Sequence, residues 1–318
     1  MTSTDSMRIV FLGSGAFGLP CLETLFERCE VPLVVSQPDR PAGRGRQNTP
    51  TPISAAVLER EGTELLRVES VNDSEVRARI MEMKPDALVI IAFGQKIGRE
   101  LLDACFAINL HGSLLPRWRG AAPINRAMMA GDEEAGVSII ALADRMDAGD
   151  VYATRAITVE PDETAGELHD RLAVIGVDAV MAVLEAHAQG KAEAVPQDES
   201  KSCHAAKLSR ADGVVDCHDP SRLVRSRING LSPWPGCDAA FRGKRLRLKR
   251  AGLAEGPDPG DAEPGTLTPE GLLRCGDGWI RLLEVQPPGK PAMPWDAFSR
   301  GRGIEAGDRL EPISSLDQ

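Results

Sequence analysis

The 318-residue chain has no run of about eighteen or more apolar residues, and that absence excludes a transmembrane helix. Its first residues, MTSTDSMRIVFLG, lack the basic start and apolar core of a secretory signal; MRIVFLG reads as a first strand, with Met7 as an alternative start. Seven cysteines, at 21, 29, 105, 203, 217, 237 and 275, include no CxxC pair and are odd in number. They fit reduced thiols in a cytoplasmic protein and not a disulfide framework. Zinc spacing is missing as well: Cys203-His204 and Cys217-His218 are adjacent pairs, adjacent residues rarely both ligate, and no metal is expected. There is no GxSxG elbow, which argues against a serine hydrolase, and no internal repeat. What remains is a soluble chain long enough for about two domains.

Apolar runs alternate with helix-like stretches along the first half. Arg8–Leu12, Val31–Ser36, Asp86–Ala92 and Ala107–Leu110 read as strands; 19–29, 53–61 and 73–83 read as helices; Pro38–Thr51 reads as a Pro/Gly/Arg-rich loop. That rhythm predicts an α/β fold with a doubly wound parallel sheet. Ser138–Leu142 and Ala156–Val159 look like late strands, and 163–187 has the periodicity of a closing helix. The polar stretch 196–206 reads as a linker. Beyond it, short apolar runs at 245–249, 272–274 and 279–285, separated by Gly/Pro turns, fit a small β-barrel, and 255–265 is a Pro/Gly/acidic loop.

The most informative stretch is 109–119, NLHGSLLPRWR. Strand alternation puts Asn109 and His111 on one face at the end of a strand, where open α/β sheets bind ligands. An amide N–H and a protonated imidazole together can hold a developing oxyanion. The segment MDAGD, 146–150, supplies a carboxylate, Asp147, to orient and charge the ring. With no side-chain nucleophile beside them, these groups suit acyl transfer in which an acceptor amine is itself the nucleophile. Taken singly, the three residues read more simply as a turn-capping Asn, a buried His and a turn Asp. The run SLLP also has the form of a helix start with Ser113 as N-cap.

Gly13-Ser-Gly15-Ala-Phe-Gly18 matches GxGxxG between a strand and a helix, with Asp39 about twenty residues on, as in dinucleotide-binding sites. Asp39, however, sits past the strand end within the basic loop PDRPAGRG. Gly13 and Gly15 are read as turn geometry and Gly18 as helix packing, so no nicotinamide is expected.

The net charge of −10 conceals a segregation. Residues 207–250 carry eleven basic and four acidic side chains, a net of +7, whereas 251–318 carry six basic and twelve acidic, a net of −6. A basic stripe is the footprint of phosphate contacts, although charge alone fits a solvated face equally well. Trp234, between two prolines, is either a stacking platform for a base or a packing anchor.

HGSLLP at 111–116 resembles the signature of 10-formyltetrahydrofolate-dependent formyltransferases, and the longer HGSLLPRWRGAAPINRAMMAGD is similar to those acting on methionyl-tRNA. The likeness continues in QPDRPAGRGR (37–46), VIIAFG (89–94), MDAGD, KLSRADG (207–213), INGLSPWPG (228–236) and LLEVQPPGKPAM (282–293). The family usually carries a Gly-Thr-Pro type turn at 13–15, from which this chain departs.

The resemblance implies a Rossmann-like catalytic domain over 7–195, a linker at 196–206, and an OB-like tRNA-binding domain over 207–318. It implies Asn109, His111 and Asp147 as catalytic residues. Folate binding falls to Ser113, Leu114, Leu115 and Pro116, with Ile91, Phe93 and Gly94 as pocket walls. Contacts to tRNA fall to Arg40, Arg44, Arg46, Arg117, Arg119, Lys207, Arg245 and Lys249. The implied reaction moves the formyl group of 10-formyltetrahydrofolate to the α-amino group of methionine on initiator tRNA, in the cytoplasm, by a monomer that needs no metal.

Overall fold

The structure, a computed structural model, describes residues 6–42, 47–257, 262–305 and 307–313. Arg44, Arg46 and part of the acidic 255–265 loop lie outside the described residues. In chain order the elements begin with β1 (Arg8–Gly13), α1 (Leu19–Arg28), β2 (Glu30–Ser36), β3 (Arg40–Ala42), β4 (Gln47–Thr49), α2 (Pro52–Leu58), β5 (Glu64–Arg67), α3 (Ser74–Glu82) and β6 (Ala87–Ile91). Next come α4 (Arg99–Leu102), β7 (Ala107–His111), β8 (Arg119–Gly120), α5 (Pro123–Ala130), β9 (Glu134–Ala141), β10 (Val151–Thr158) and α6 (Ala165–Ala188). Last are β11 (His204–Ala205), α7 (Ser221–Gly230), β12 (Cys237–Phe241), β13 (Lys244–Ala254), β14 (Leu272–Arg274), β15 (Trp279–Gln286), β16 (Met293–Pro294), α8 (Trp295–Arg302) and β17 (Leu310–Pro312).

The chain divides into two compact units. The first takes Met1–Arg119, Gly136–Ala156 and His169–Cys203; the second takes Gly120–Ala135, Ile157–Leu168 and His204–Gln318.

The first unit is Rossmann-like. Its seven-stranded sheet has the order β10-β9-β7-β6-β1-β2-β5, parallel from β7 to β5, with β9 antiparallel to β7. The central strand β6 is apolar at every position, ALVII, and buried throughout, as a parallel strand covered on both faces must be. Strand order reverses between β1 and β6, so the crevice opens beyond Gly13 and Ile91. There the amides of Ser14 and Gly15 both donate to the Ala92 carbonyl, at 3.3 and 3.2 Å, so neither is left to cradle a pyrophosphate. A Cβ on Gly13 would lie 2.5 Å from the Phe11 ring and 2.8 Å from the Ile91 carbonyl. The glycine turn thus serves close backbone approach, and Asp39 is paired with Arg67 at 2.8 Å.

Several elements extend beyond their sequence-based expectations. Strand β9 starts at Glu134 and β10 at Val151, because the half-exposed start of β10 has little apolar pattern to announce it. The expected loop at 38–51 contains the β3–β4 hairpin.

The second unit is a curled antiparallel sheet, β14-β15-β13-β12-β17, with β16 on β15. Helix α7, whose three arginines hide it within the basic segment, presents Val224 and Ile228 to the core. Register shifts in β13 on either side of Arg250 leave the backbone of Ala251 to be satisfied by a side chain. The buried Asn229 amide does this, accepting from Ala251 N and donating to Ala251 O, both at 2.9 Å. The INGLSPWPG motif therefore has a structural role in this unit.

All seven cysteines are free. Burial pushes the thiols of Cys21, Cys237 and Cys275 up to about 12, which keeps them protonated and inert. Among the described residues no group of three or more His, Cys, Asp or Glu could hold a metal ion, and no helix is long and apolar enough to cross a membrane.

Candidate active site

Strand β7 ends on His111 at the carboxyl end of the sheet beside β6, and its alternation places the half-buried Asn109 on the same face. The Asn109 amide has no hydrogen-bond partner among the described residues, so its donors are available to a ligand. The buried His111 is flanked by two acceptors. Its Nε2 lies 2.9 Å from the Trp118 carbonyl, and its Nδ1 lies 3.6 Å from the Asp147 carboxylate. A carbonyl only accepts, so in this contact Nε2 carries the proton. At 3.6 Å the Asp147 contact is too long for a direct hydrogen bond. The Nε2 proton is already taken by Trp118, so donating it to an oxyanion requires that bond to lengthen or fork.

Residues 113–118 form a tight turn with a cis Leu115–Pro116 bond, and no helix starts at Ser113. The Ser113 hydroxyl donates to the Arg117 carbonyl at 2.7 Å. Ser138, on β9, anchors the turn from behind: its hydroxyl donates to Ser113 O at 2.8 Å and accepts from Leu115 N at 3.1 Å. Leu114 lies over Gly136, where a Cβ would come within 2.4 Å of the Leu114 side chain. Leu114, Leu115 and Pro116 are half-buried. Ile91 and Phe93 are 0% and 2% exposed, and Phe93 packs with Val10 and Leu12 in the core. Gly94, at φ 77, turns the chain so that the Phe93 carbonyl accepts from Gln37 Nε2 at 2.7 Å. These three shape the strand end from within the fold.

The basic residues separate into two groups. Arg117 is exposed with its guanidinium over the Trp118 ring at 5.1 Å; Arg40 is exposed and loosely paired with Glu69 at 3.4 Å. In the second unit Lys207 is exposed and Lys249 half-buried. Arg245 is exposed on the outer face of β13, where Asp238 bridges it to Arg247. Burial works against the Asp238 carboxylate, yet Arg247 and Arg245 outweigh it and hold its pKa below the usual range. Arg119 differs from all of these. It is 7% exposed, and its guanidinium is committed to Gln197 and Glu199, so it is not placed to meet a phosphate.

A family model described as formyl transferase matches residues 7–184, and one described as formyl transferase, C-terminal domain, matches 207–303. The methionyl-tRNA formyltransferase of Geotalea daltonii is 38% identical over 313 residues, 96% of this chain and 98% of that protein. The methionyl-tRNA formyltransferase of Symbiobacterium thermophilum is 40% identical over 314 residues, 96% of each chain. The chain belongs to the methionyl-tRNA formyltransferase family. A solved structure of HypX from Aquifex aeolicus in complex with tetrahydrofolic acid shares the fold, with a TM-score of 0.63 at 21% identity. It covers 94% of this chain, which spans about half, 48%, of that one.

In this member of the methionyl-tRNA formyltransferase family, sequence reasoning missed the residues that hold the site together. Ser138 and Gly136 lie in a strand whose start was not legible. Gln197 and Glu199 fall in the stretch expected to be a linker, yet residues 197–203 are tied into the first unit. Gln197 Nε2 donates to the carbonyls of Asp147 and Gly149 at 2.9 and 2.7 Å, and Cys203 O accepts from Arg119 N at 3.0 Å. Glu199 pairs with Arg119 and Arg145, at 2.9 and 2.6 Å, and those two guanidiniums, Arg119 first, hold its carboxyl at about 2. A lone Gln fifty residues from its partners leaves no periodic signal in a sequence.

Proposed function

We propose that the chain transfers the formyl group of 10-formyltetrahydrofolate to the α-amino group of methionyl initiator tRNA. The observation that carries this reading is the coincidence of two facts. The likeness to methionyl-tRNA formyltransferases runs over 96% of the chain, and Asn109 and His111 share one face at the end of β7 with the Asp147 carboxylate 3.6 Å from His111 Nδ1. The methionyl amine attacks the formyl carbon, and the carbonyl electrons move to oxygen. The tetrahedral intermediate then collapses with loss of the folate N10, which takes up a proton as the new amide nitrogen gives one up.

Asn109 donates to the oxyanion through an amide that no described residue occupies. His111, oriented beside Asp147, supplies the second donor through Nε2 once Trp118 yields it. Ser113, Leu114, Leu115 and Pro116 bind the folate, with Ile91, Phe93 and Gly94 shaping the strand end beside it. Arg40, Arg117, Lys207, Arg245 and Lys249 meet tRNA phosphates, and Arg44 and Arg46 join them from outside the described residues. The two family-model spans support a catalytic part over 7–195 and a tRNA-binding part over 207–318 joined through 196–206. A cytoplasmic monomer without metal or nicotinamide completes the reading.

The test is formyl transfer from 10-formyltetrahydrofolate to methionyl initiator tRNA, with an amino-sugar nucleotide acceptor and His111→Ala in parallel. Transfer to tRNA alone, lost in the variant, is expected. Transfer to the sugar alone would discard the tRNA acceptor and keep the chemistry.

A further inference from the structure

We infer that Gln197 is a positioning residue for the transfer reaction: its side-chain amide, clamped by Arg119, holds the turn that sets Asp147 against His111. The inference takes its chemistry from the function proposed above and its geometry from contacts within the first unit.

The Gln197 amide is used at both ends. Nε2 donates to the carbonyls of Asp147 and Gly149, at 2.9 and 2.7 Å. Oε1 accepts from Nε and Nη2 of Arg119, at 3.0 and 2.7 Å. A carboxamide suits this place because it offers two N–H donors on one atom and an acceptor on the other.

The turn it holds needs holding. Asp147 sits at φ 53, in the left-handed region that a residue with a Cβ disfavours and keeps only when its surroundings impose it. On one side the turn abuts the end of β9 so closely that a Cβ on Gly149 would lie 1.8 Å from the Ala141 carbonyl. Gln197 supplies a restraint through the carbonyls. The 3.6 Å gap between Asp147 and His111 Nδ1 makes the carboxylate's effect on the ring sensitive to small displacements of the turn.

Arg119 gives the clamp its second consequence. It directly follows Trp118, whose carbonyl takes His111 Nε2, and its own main chain is pinned to Cys203 at 3.0 Å. The two acceptors flanking the imidazole are therefore joined to each other through Arg119 and the Gln197 amide. Gln197 bonds to none of Asn109, His111 or the Ser113 turn, and the part of its influence that Nε2 carries, the part Gln197→Glu removes, runs through the Asp147 turn alone.

The decisive variant is Gln197→Glu in the full-length protein. It keeps the size of the side chain and an acceptor for Arg119 but removes both donors to the turn. With wild-type transfer to methionyl-tRNA measured first, we expect kcat to fall about ten- to a hundredfold while KM for both substrates changes less than about twofold. In an Asp147→Asn background the same change should cost less than about twofold, because its effect is already spent. Losses that multiply in the double variant, or an unchanged kcat, overturn the inference.

Hydrogen–deuterium exchange of residues 145–151 is the second measurement and needs no activity. Faster exchange in Gln197→Glu is expected, and unchanged exchange overturns the clamp. A wild type that transfers no formyl group refutes the proposed function itself; an active wild type indifferent to Gln197→Glu refutes only this inference.

Discussion

His111 Nε2 stands 2.9 Å from the carbonyl oxygen of Trp118, a residue held in left-handed conformation at φ 62. The contact fixes which ring nitrogen bears a proton and fills that donor's direction within the protein. Asn109, two residues earlier on the same strand face, is the donor left open. The two groups therefore enter the reaction from different states, one engaged and one waiting.

That asymmetry separates catalytic from structural effects. Asn109→Ala removes an amide with no described partner, so kcat should fall on the order of a hundred- to a thousandfold. Unfolding stability should move by less than about 1 kcal/mol. Steady-state kinetics beside a urea titration measures both; a large loss of stability would mean the amide has a structural bond in solution.

Gly136→Ala tests the support of the SLLP turn. The added Cβ would meet the Arg155 carbonyl at 2.2 Å and the Leu114 side chain at 2.4 Å. Overpacking of this kind costs about 1–3 kcal/mol and should push Leu114 outward. KM for the formyl donor should rise more than KM for tRNA. Equal rises would separate the turn from folate binding.

Salt dependence distinguishes the arginines. Arg245→Ala and Lys249→Ala should each weaken tRNA binding and lower the slope of log K against log salt by about 1. Arg119→Ala should leave that slope unchanged, since its donors are bound to Gln197 and Glu199. A lowered slope for Arg119→Ala would show a phosphate contact that its burial argues against.

The Glu199 pair carries a pH signature of definite sign. Arg119 and then Arg145 depress its carboxyl from 4.5 to about 2. Any stabilisation is therefore complete above the ordinary carboxylate value and disappears as pH falls towards about 2. Solvent exposure screens the pair, so the effect should be small and weakened by salt. Thermal melts of wild type and Glu199→Gln between pH 2 and 5 should converge at the acid end. A gap that persists at pH 2 would assign the stabilisation to something other than charge.

How much was legible can be judged residue by residue. Asn109 and His111 were readable because an apolar strand with period-two alternation states its own face and its own end. β6 was readable because a strand buried on both faces must be continuously apolar. The first half of β10 was not, because it is half-exposed and shows no alternation. Arg119 looked like its neighbour Arg117, since sequence reports charge but not the direction in which a side chain leaves the chain.

The sequence by itself determined the alternation of strands and helices behind the Rossmann-like sheet, and pointed to a β-rich second unit and to the three residues proposed for catalysis. Each is a local property: hydrophobic period, strand end, or a motif of adjacent residues. Only the tertiary structure decided what surrounds those residues. The Trp118 carbonyl on His111, Ser138 beneath the SLLP turn and Gln197 across the Asp147 turn join segments from seven to fifty residues apart. Such bonds depend on where the folded chain returns to itself, and no local pattern of residues encodes them.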